Sequence, residues 1–167
     1  TNEGHATGNK VNISNAEVDY SVYGGYQAGS SNDLFKVNKN EVAIKGKSAI
    51  KGNVAGGYNN LGEASENKVT IEQNTSVNGQ VWGGYSKSSP GKAKADDNKI
   101  IIEDSTIGGN VYGGLVVSNV NTAPESGSSA KNNMVIIKGT PKFGAETVIY
   151  GGWGHNSNGS VAGTGEY

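Results

Sequence analysis

Apolar residues recur along this chain at every second position, in runs too short for a helix. In "NKVTIE", which opens at Asn67, the residues Asn67, Val69 and Ile71 fall on one side, and Lys68, Thr70 and Glu72 on the other. The same word returns as "NKVNI" at Asn9, "NEVAI" at Asn40, "NKIII" at Asn98 and "NMVII" at Asn133. A second word follows each of them. It reads "GNVAGGY" at 52–58, "GQVWGGY" at 79–85 and "GNVYGGL" at 109–115, with looser forms "YSVYGGY" at 20–26 and "TVIYGGW" at 147–153. It alternates too: Ile50, Gly52 and Val54 share a side, as do Val77, Gly79 and Val81. Both words predict β-strands, and no helical periodicity of useful length occurs.

Five copies of one unit predict a repeat architecture. From the opening Asn to the Val or Ile before Gly-Gly takes 13 or 14 residues in four copies and 16 in the last. The segments between Gly-Gly and the next Asn (26–39, 58–66, 85–97 and 115–132) vary in length. The constant half therefore reads as scaffold and the variable half as surface loops. Two short strands cannot bury a core alone, but stacked units can. The expected fold is all-β: a right-handed parallel β-helix of about five coils, treated as a single segment over 1–167, with coils starting near Asn9, Asn40, Asn67, Asn98 and Asn133. At about 4.8 Å per coil the rod would be roughly 24 Å long. Its core would hold three columns: Val11, Val42, Val69, Ile100, Val135; Ile13, Ile44, Ile71, Ile102, Ile137; and Val22, Val54, Val81, Val111, Ile149. The opening asparagines would form a carboxamide ladder. The Gly-Gly pairs would let the chain turn out of the second strand. A five-bladed propeller fits less well, because the shortest unit, Asn40 to Asn67, is only 27 residues and a four-stranded blade needs about 40.

Composition agrees with an unusual scaffold. Glycine supplies 27 of 167 residues, only 17% are charged and 34% are hydrophobic, which is too polar for a helical bundle. A net charge of −1 gives no bulk attraction to nucleic acid or to an anionic membrane. The absence of cysteine removes disulfides and thiolate metal sites. No run of about 18 apolar residues predicts a membrane-spanning helix. A chain opening at Thr1 reads as a processed product or an excised fragment.

Candidate chemistry is sparse. There is no G-x-S-x-G elbow, and His5 and His155 sit near opposite ends, where solvated loop positions are expected. Polysaccharide-cleaving enzymes use paired carboxylates, and the outward column Ser14, Lys45, Glu72, Glu103, Lys138 would bring Glu72 and Glu103 within about 5 Å. Flanked by lysines, that column also reads as a solvated charge ladder. Asp96, Asp97 and Asp104 lack the spacing of a calcium site, so no metal or cofactor is expected. The aromatic residues are more informative. With Val inward, Tyr23, Ala55, Trp82, Tyr112 and Tyr150 point outward, and Tyr26, Tyr58, Tyr85, Leu115 and Trp153 stand just past Gly-Gly. Two parallel columns would hold eight of the twelve aromatic residues. The candidate ligand-binding residues are accordingly Tyr23, Tyr26, Tyr58, Trp82, Tyr85, Tyr112, Tyr150 and Trp153, a strip suited to sugar rings or to a protein hot spot. The competing role is structural: rings stacked coil on coil, covering the sheet. A smaller column, Asn12, Ala43, Thr70, Ile101, Ile136, turns apolar at its end, where the loop 115–132 is expected to fold over it. Its mixed make-up argues against an ice-binding Thr-x-Thr array.

The "NKVTI" word joined to "GNVYGGL"-type words resembles repeats in the passenger domains of type V autotransporter adhesins of Gram-negative bacteria. The resemblance covers nearly the whole chain and carries no catalytic signature. It implies a right-handed β-helix displayed at the cell surface, non-enzymatic and without cofactor. It also implies a larger parent anchored in the outer membrane by a C-terminal barrel. The partner would be a host or neighbouring-cell protein or glycan, not nucleic acid, and the segment would be monomeric.

Overall fold

The computed structural model describes residues 4–28, 35–88, 93–118 and 128–155. Among them there is no helix, and the strands form a parallel β-solenoid. The first repeat supplies β1 (Lys10–Ser14), β2 (Glu17–Val18) and β3 (Val22–Gln27), and β4 (Phe35–Lys36) leads into the second. That repeat runs through β5 (Glu41–Lys45), β6 (Ala49–Ile50), β7 (Val54–Asn59) and β8 (Gly62–Glu63). The third gives β9 (Lys68–Ile71), β10 (Ser76–Val77) and β11 (Val81–Ser88). The fourth gives β12 (Lys99–Glu103), β13 (Thr106–Ile107) and β14 (Val111–Ser118), and the fifth β15 (Met134–Lys138), β16 (Lys142–Phe143) and β17 (Ile149–His155).

Like strands pair in parallel from repeat to repeat, giving three five-stranded walls: β1-β5-β9-β12-β15, β2-β6-β10-β13-β16 and β3-β7-β11-β14-β17. A narrow fourth wall consists of β4 beside β8, continued by the bridges Glu63–Lys94 and Lys94–Ser129. Each repeat thus has three main strands where the alternation predicts two. Bends at Lys51 and Gly52 divide the second word, so that Ile50 and Val54 reach one core from different walls.

The three expected columns lie in register as written. The second wall adds a fourth: Val18, Ile50, Val77, Ile107, Phe143. All of these residues but Ile137 form one apolar interior. Ile44, Ile71 and Ile102 are completely buried, whereas Ile137 in the last strand of that wall is 45% exposed. An interior rung is covered on both sides, and an end rung on one.

The first wall is bracketed by left-handed residues. Gly8, Lys39, Glu66, Asp97 and Asn132 precede the five opening asparagines with φ between 53° and 72°, and Asn15, Gly46, Gln73, Asp104 and Gly139 follow the wall with φ between 45° and 70°. One residue turns the chain at each corner except the second corner of the third repeat, where Asn74 (φ 63°) follows Gln73, mostly at a non-glycine cost of roughly 1–2 kcal/mol. Just beyond the second corner, Ser48, Thr75 and Ser105 are buried, and their hydroxyls donate to the carbonyls of Lys45, Glu72 and Glu103 at 2.7–2.8 Å.

The asparagine ladder is present. The Oδ1 of each later Asn accepts both the Nδ2 and the backbone N–H of the preceding one: Asn9 to Asn40 (2.8 and 3.0 Å), Asn40 to Asn67 (3.0 and 3.0 Å), Asn67 to Asn98 (3.1 and 2.9 Å) and Asn98 to Asn133 (3.0 and 2.9 Å). This ladder explains the Gly-Gly pairs and corrects the turn role expected for them. The pairs lie inside β3, β7, β11, β14 and β17, and none has positive φ. A Cβ on Gly84 would strike the Ala64 carbonyl and come within 2.7 Å of the Asn98 Nδ2; one on Gly57 would lie 2.6 Å from both the Val37 carbonyl and the Asn67 Nδ2. Glycine is there so that the corner of the next repeat can seat against the third wall. The same contact extends the scaffold backwards. Ala6, Val37, Ala64, Ala95 and Ala130, each three residues before its Asn, present carbonyls to that glycine column, so the variable segments are shorter than the expected 26–39, 58–66, 85–97 and 115–132. Leu115–Ser118 belong to β14, where Leu115 and Val117 join the aromatic cluster and Val116 packs with Ala93, Ala95 and Ala130 in place of the expected docking over Ile101 and Ile136; residues 119–127 of that loop lie outside the described residues.

Candidate binding surface

The aromatic strip occupies the outer side of the third wall, built by the glycines from below. In an uninterrupted strand, residues three apart point to opposite sides. Here Trp82 and Tyr85 share a side, with ring centroids 5.4 Å apart, as do Tyr23 and Tyr26 at 5.0 Å and Tyr150 and Trp153 at 4.2 Å. Between them both glycines turn inward toward the ladder in the first four pairs, as Gly152 does in the fifth, adding one residue to the alternation much as a bulge does. The register then aligns Tyr23, Ala55, Trp82, Tyr112 and Tyr150 in one column, and Tyr26, Tyr58, Tyr85, Leu115 and Trp153 in the other. Seven of the eight candidate residues come together in one cluster with Ala55, Leu115 and Val117, and the exposed Tyr26 joins it through ring contacts to Tyr23 and Tyr58.

The strip differs in shape from a flat sugar platform. Tyr58 and Tyr85 stack at 4.4 Å with an interplanar angle of 1°, Tyr26 lies 5.3 Å from Tyr58 at 17°, and Tyr112 lies 5.4 Å from Tyr150 at 10°. Stacked rings spend their faces on one another and turn their edges outward, so the surface is a ridge of ring edges. Trp82 and Tyr112 are 7% exposed and Leu115 8%, while Tyr26 at 51% is the most open of the eight. The Trp82 indole N–H is buried with no acceptor, and the Tyr112 hydroxyl accepts from Asn110 Nδ2 at 3.1 Å. Burial, with Tyr58 alongside, pushes the Tyr85 phenol up to about 12, and burial also raises Tyr58 and Tyr112.

The carboxylate column is differently placed. Glu103 stands in register with Lys138, and Glu72 follows the end of β9; both are partly buried. A polar groove of about 440 Å³ lies nearby at the corner of the first and second walls. It is lined by Asn74, Asp104, Ser105, Thr106, Thr140 and Lys142, and neither glutamate lines it. Asp104 is turned to structural use, its Oδ1 accepting the Thr140 N–H at 2.8 Å. His5 is exposed, and its Nδ1 accepts the Lys36 N–H at 3.1 Å. Among the described residues no three His, Cys, Asp or Glu side chains gather as a metal site would require.

Sequence reasoning reached the aromatic residues but missed the Ser48, Thr75 and Ser105 hydroxyls and the small residue three places before each Asn. The signal for the latter is legible afterwards as Ala/Val-x-x-Asn in every copy. No helix among the described residues is long and apolar enough to cross a membrane. Comparison with family models, with curated proteins and with solved structures returns no match for this chain.

Proposed function

We propose that this chain is a non-enzymatic segment of a Gram-negative surface adhesin of the autotransporter kind. In this reading its repeats are five coils of a right-handed β-helix. They act as a stiff stalk in a parent protein held in the outer membrane by a C-terminal barrel, and the outer side of the third wall meets a host or neighbouring-cell partner. The observation that carries the reading is the unbroken register of three five-stranded parallel walls beneath one aromatic ridge. A rod held by side-chain ladders resists bending, and its repeats add length without adding a cleft. The ridge suits a protein partner better than a sugar, because ring faces that would stack on a pyranose are turned toward each other.

A binding screen of the purified chain against host-surface proteins and a glycan array tests this, with Tyr26→Ala and Tyr150→Ala alongside. Protein binding lost in these variants, with circular dichroism unchanged, supports the ridge as the contact. No binding by the folded chain leaves only the stalk. Release of reducing sugar that Glu103→Gln abolishes would overturn the non-enzymatic reading in favour of the Glu72/Glu103 pair.

A further inference from the structure

The outer side of the first wall carries like charges in neighbouring rungs. Lys68 and Lys99 stand opposite each other where β9 pairs with β12, and four residues on Glu72 and Glu103 continue the same register. Like charges set against each other on adjacent strands are destabilising, and the wall relieves them only in part. Lys68 reaches Glu41 at 2.9 Å. Among the described residues Lys99, Glu72 and Glu103 form no ion pair, although Lys45 and Lys138 flank the two glutamates.

A neutral stripe separates the two charged columns. Ala43, Thr70, Ile101 and Ile136 run down its centre, all half-buried, and it turns apolar toward the fifth rung. A lysine column and a glutamate column on opposite sides of a neutral stripe make a face that complements itself. A two-fold axis along the rod, passing over the stripe, sets each rung against the same rung of a second copy and exchanges the two sides. Lys68 then meets Glu72, Lys99 meets Glu103 and Glu41 meets Lys45, each twice, while Ile101 and Ile136 meet their own counterparts. No like charges of these columns face each other. A two-fold axis along the strands, centred on the third or fourth rung, instead sets Lys on Lys and Glu on Glu. Sheets packed face to face lie about 10 Å apart, a gap that a lysine and a glutamate side chain bridge together.

We infer that the outer side of the first wall is a dimer surface, on which two copies of this chain lie side by side and point the same way. The contact is isologous and closes at two copies. Its face measures about 24 Å by 16 Å, small for a stable complex, so the dimer is a weak one. It lies on the flank of the rod and uses neither its ends nor the aromatic ridge. It departs from the monomer expected from sequence, and it is independent of what the ridge binds.

Sedimentation equilibrium of the purified chain at low salt, at concentrations up to about 1 mM, tests this. The wild type is expected to approach twice the monomer mass and go no further, and to dissociate as salt is raised. Lys99→Glu and Glu103→Lys should each weaken the dimer about tenfold with circular dichroism unchanged, because the two-fold axis counts each change twice. Mixing the two should restore association, since one variant then presents two acids at this rung and the other two bases. Ile101→Lys, which sets a charge against its own copy at the centre of the face, should weaken the dimer by about tenfold or more. A folded wild type that stays monomeric, or that grows beyond a dimer, would overturn the proposal. So would association untouched by Ile101→Lys, or two charge variants that fail to rescue each other.

Discussion

The Asn67 carboxamide oxygen accepts two donors from Asn40 at once, the Nδ2 and the backbone N–H, both at 3.0 Å. The Asn67 Nδ2 gives its own hydrogens to Asn98 Oδ1 at 3.1 Å and to the Val37 carbonyl at 3.0 Å. Four polar groups in a buried corner therefore bond to one side chain; Asn40 Nδ2 also reaches the Ala6 carbonyl and Asn98 Oδ1 also accepts the Asn67 N–H, while the Asn40 N–H and the Val37 carbonyl lose this contact outright in its absence. Asn67→Ala should cost about 3 kcal/mol or more, since it orphans groups that water cannot reach. Asn9→Ala removes an exposed rung and should cost about 1 kcal/mol or less. Urea midpoints of the two variants check the contrast, and equal losses would refute the burial argument.

The glycine pairs give a second contrast. Gly84→Ala places a methyl on the Ala64 carbonyl and against Asn98, and overpacking against backbone should cost about 2–3 kcal/mol. Gly8→Ala meets no atom within 4 Å but keeps a φ of +72°, so only the left-handed penalty of about 1–2 kcal/mol applies. Thermal denaturation of both variants should rank Gly84→Ala the lower. The reverse order would mean that backbone freedom, and not close approach, selects glycine in the pairs.

Core position should matter more than core identity. Ile71→Ala opens a cavity between two covered rungs and should cost about 2–5 kcal/mol. Ile137→Ala, at a position 45% exposed, should cost about 1 kcal/mol. Chemical denaturation of the pair distinguishes a continuous core from local strand preference, which would give similar losses for both.

Alkaline stability should follow the aromatic ridge. Tyr85 in the folded chain titrates near 12, raised first by burial, while an unfolded phenol titrates near 10. A folded value above the unfolded one means that the unfolded chain loses its proton first. The contribution is therefore complete below about pH 10 and disappears as pH rises from there toward 12. Tyr58 and Tyr112 shift the same way. The unfolding midpoint should fall across that window, and Tyr85→Phe should soften the fall. A midpoint flat through the window, or an unaltered slope in the variant, would contradict the burial of that phenol.

The sequence by itself determined what local chemistry and repetition can express. Period-two alternation marked the strands, and the fixed interval from Asn to Gly-Gly set which residues stack. With both in hand, the columns headed by Val11, Ile13 and Val22, the asparagine ladder and the two aromatic columns followed, because a parallel stack has little choice of register once each unit carries the same word. Only the tertiary structure decided what depends on approach between walls. It divided the second word at Lys51 and Gly52 and gave each repeat a third strand. It also assigned the Gly-Gly pairs to the space beneath the next corner. A glycine needed for a turn and one needed for contact read alike in a sequence, since both are defined by a missing Cβ; the atoms that would collide come from residues distant in the chain, for Gly84 the Ala64 carbonyl 20 places earlier and Asn98 14 places later. The aromatic ridge shows the same division. Which rings line up was legible, but their stacking face to face depended on the spacing between neighbouring strands, which turned a flat strip into a row of edges.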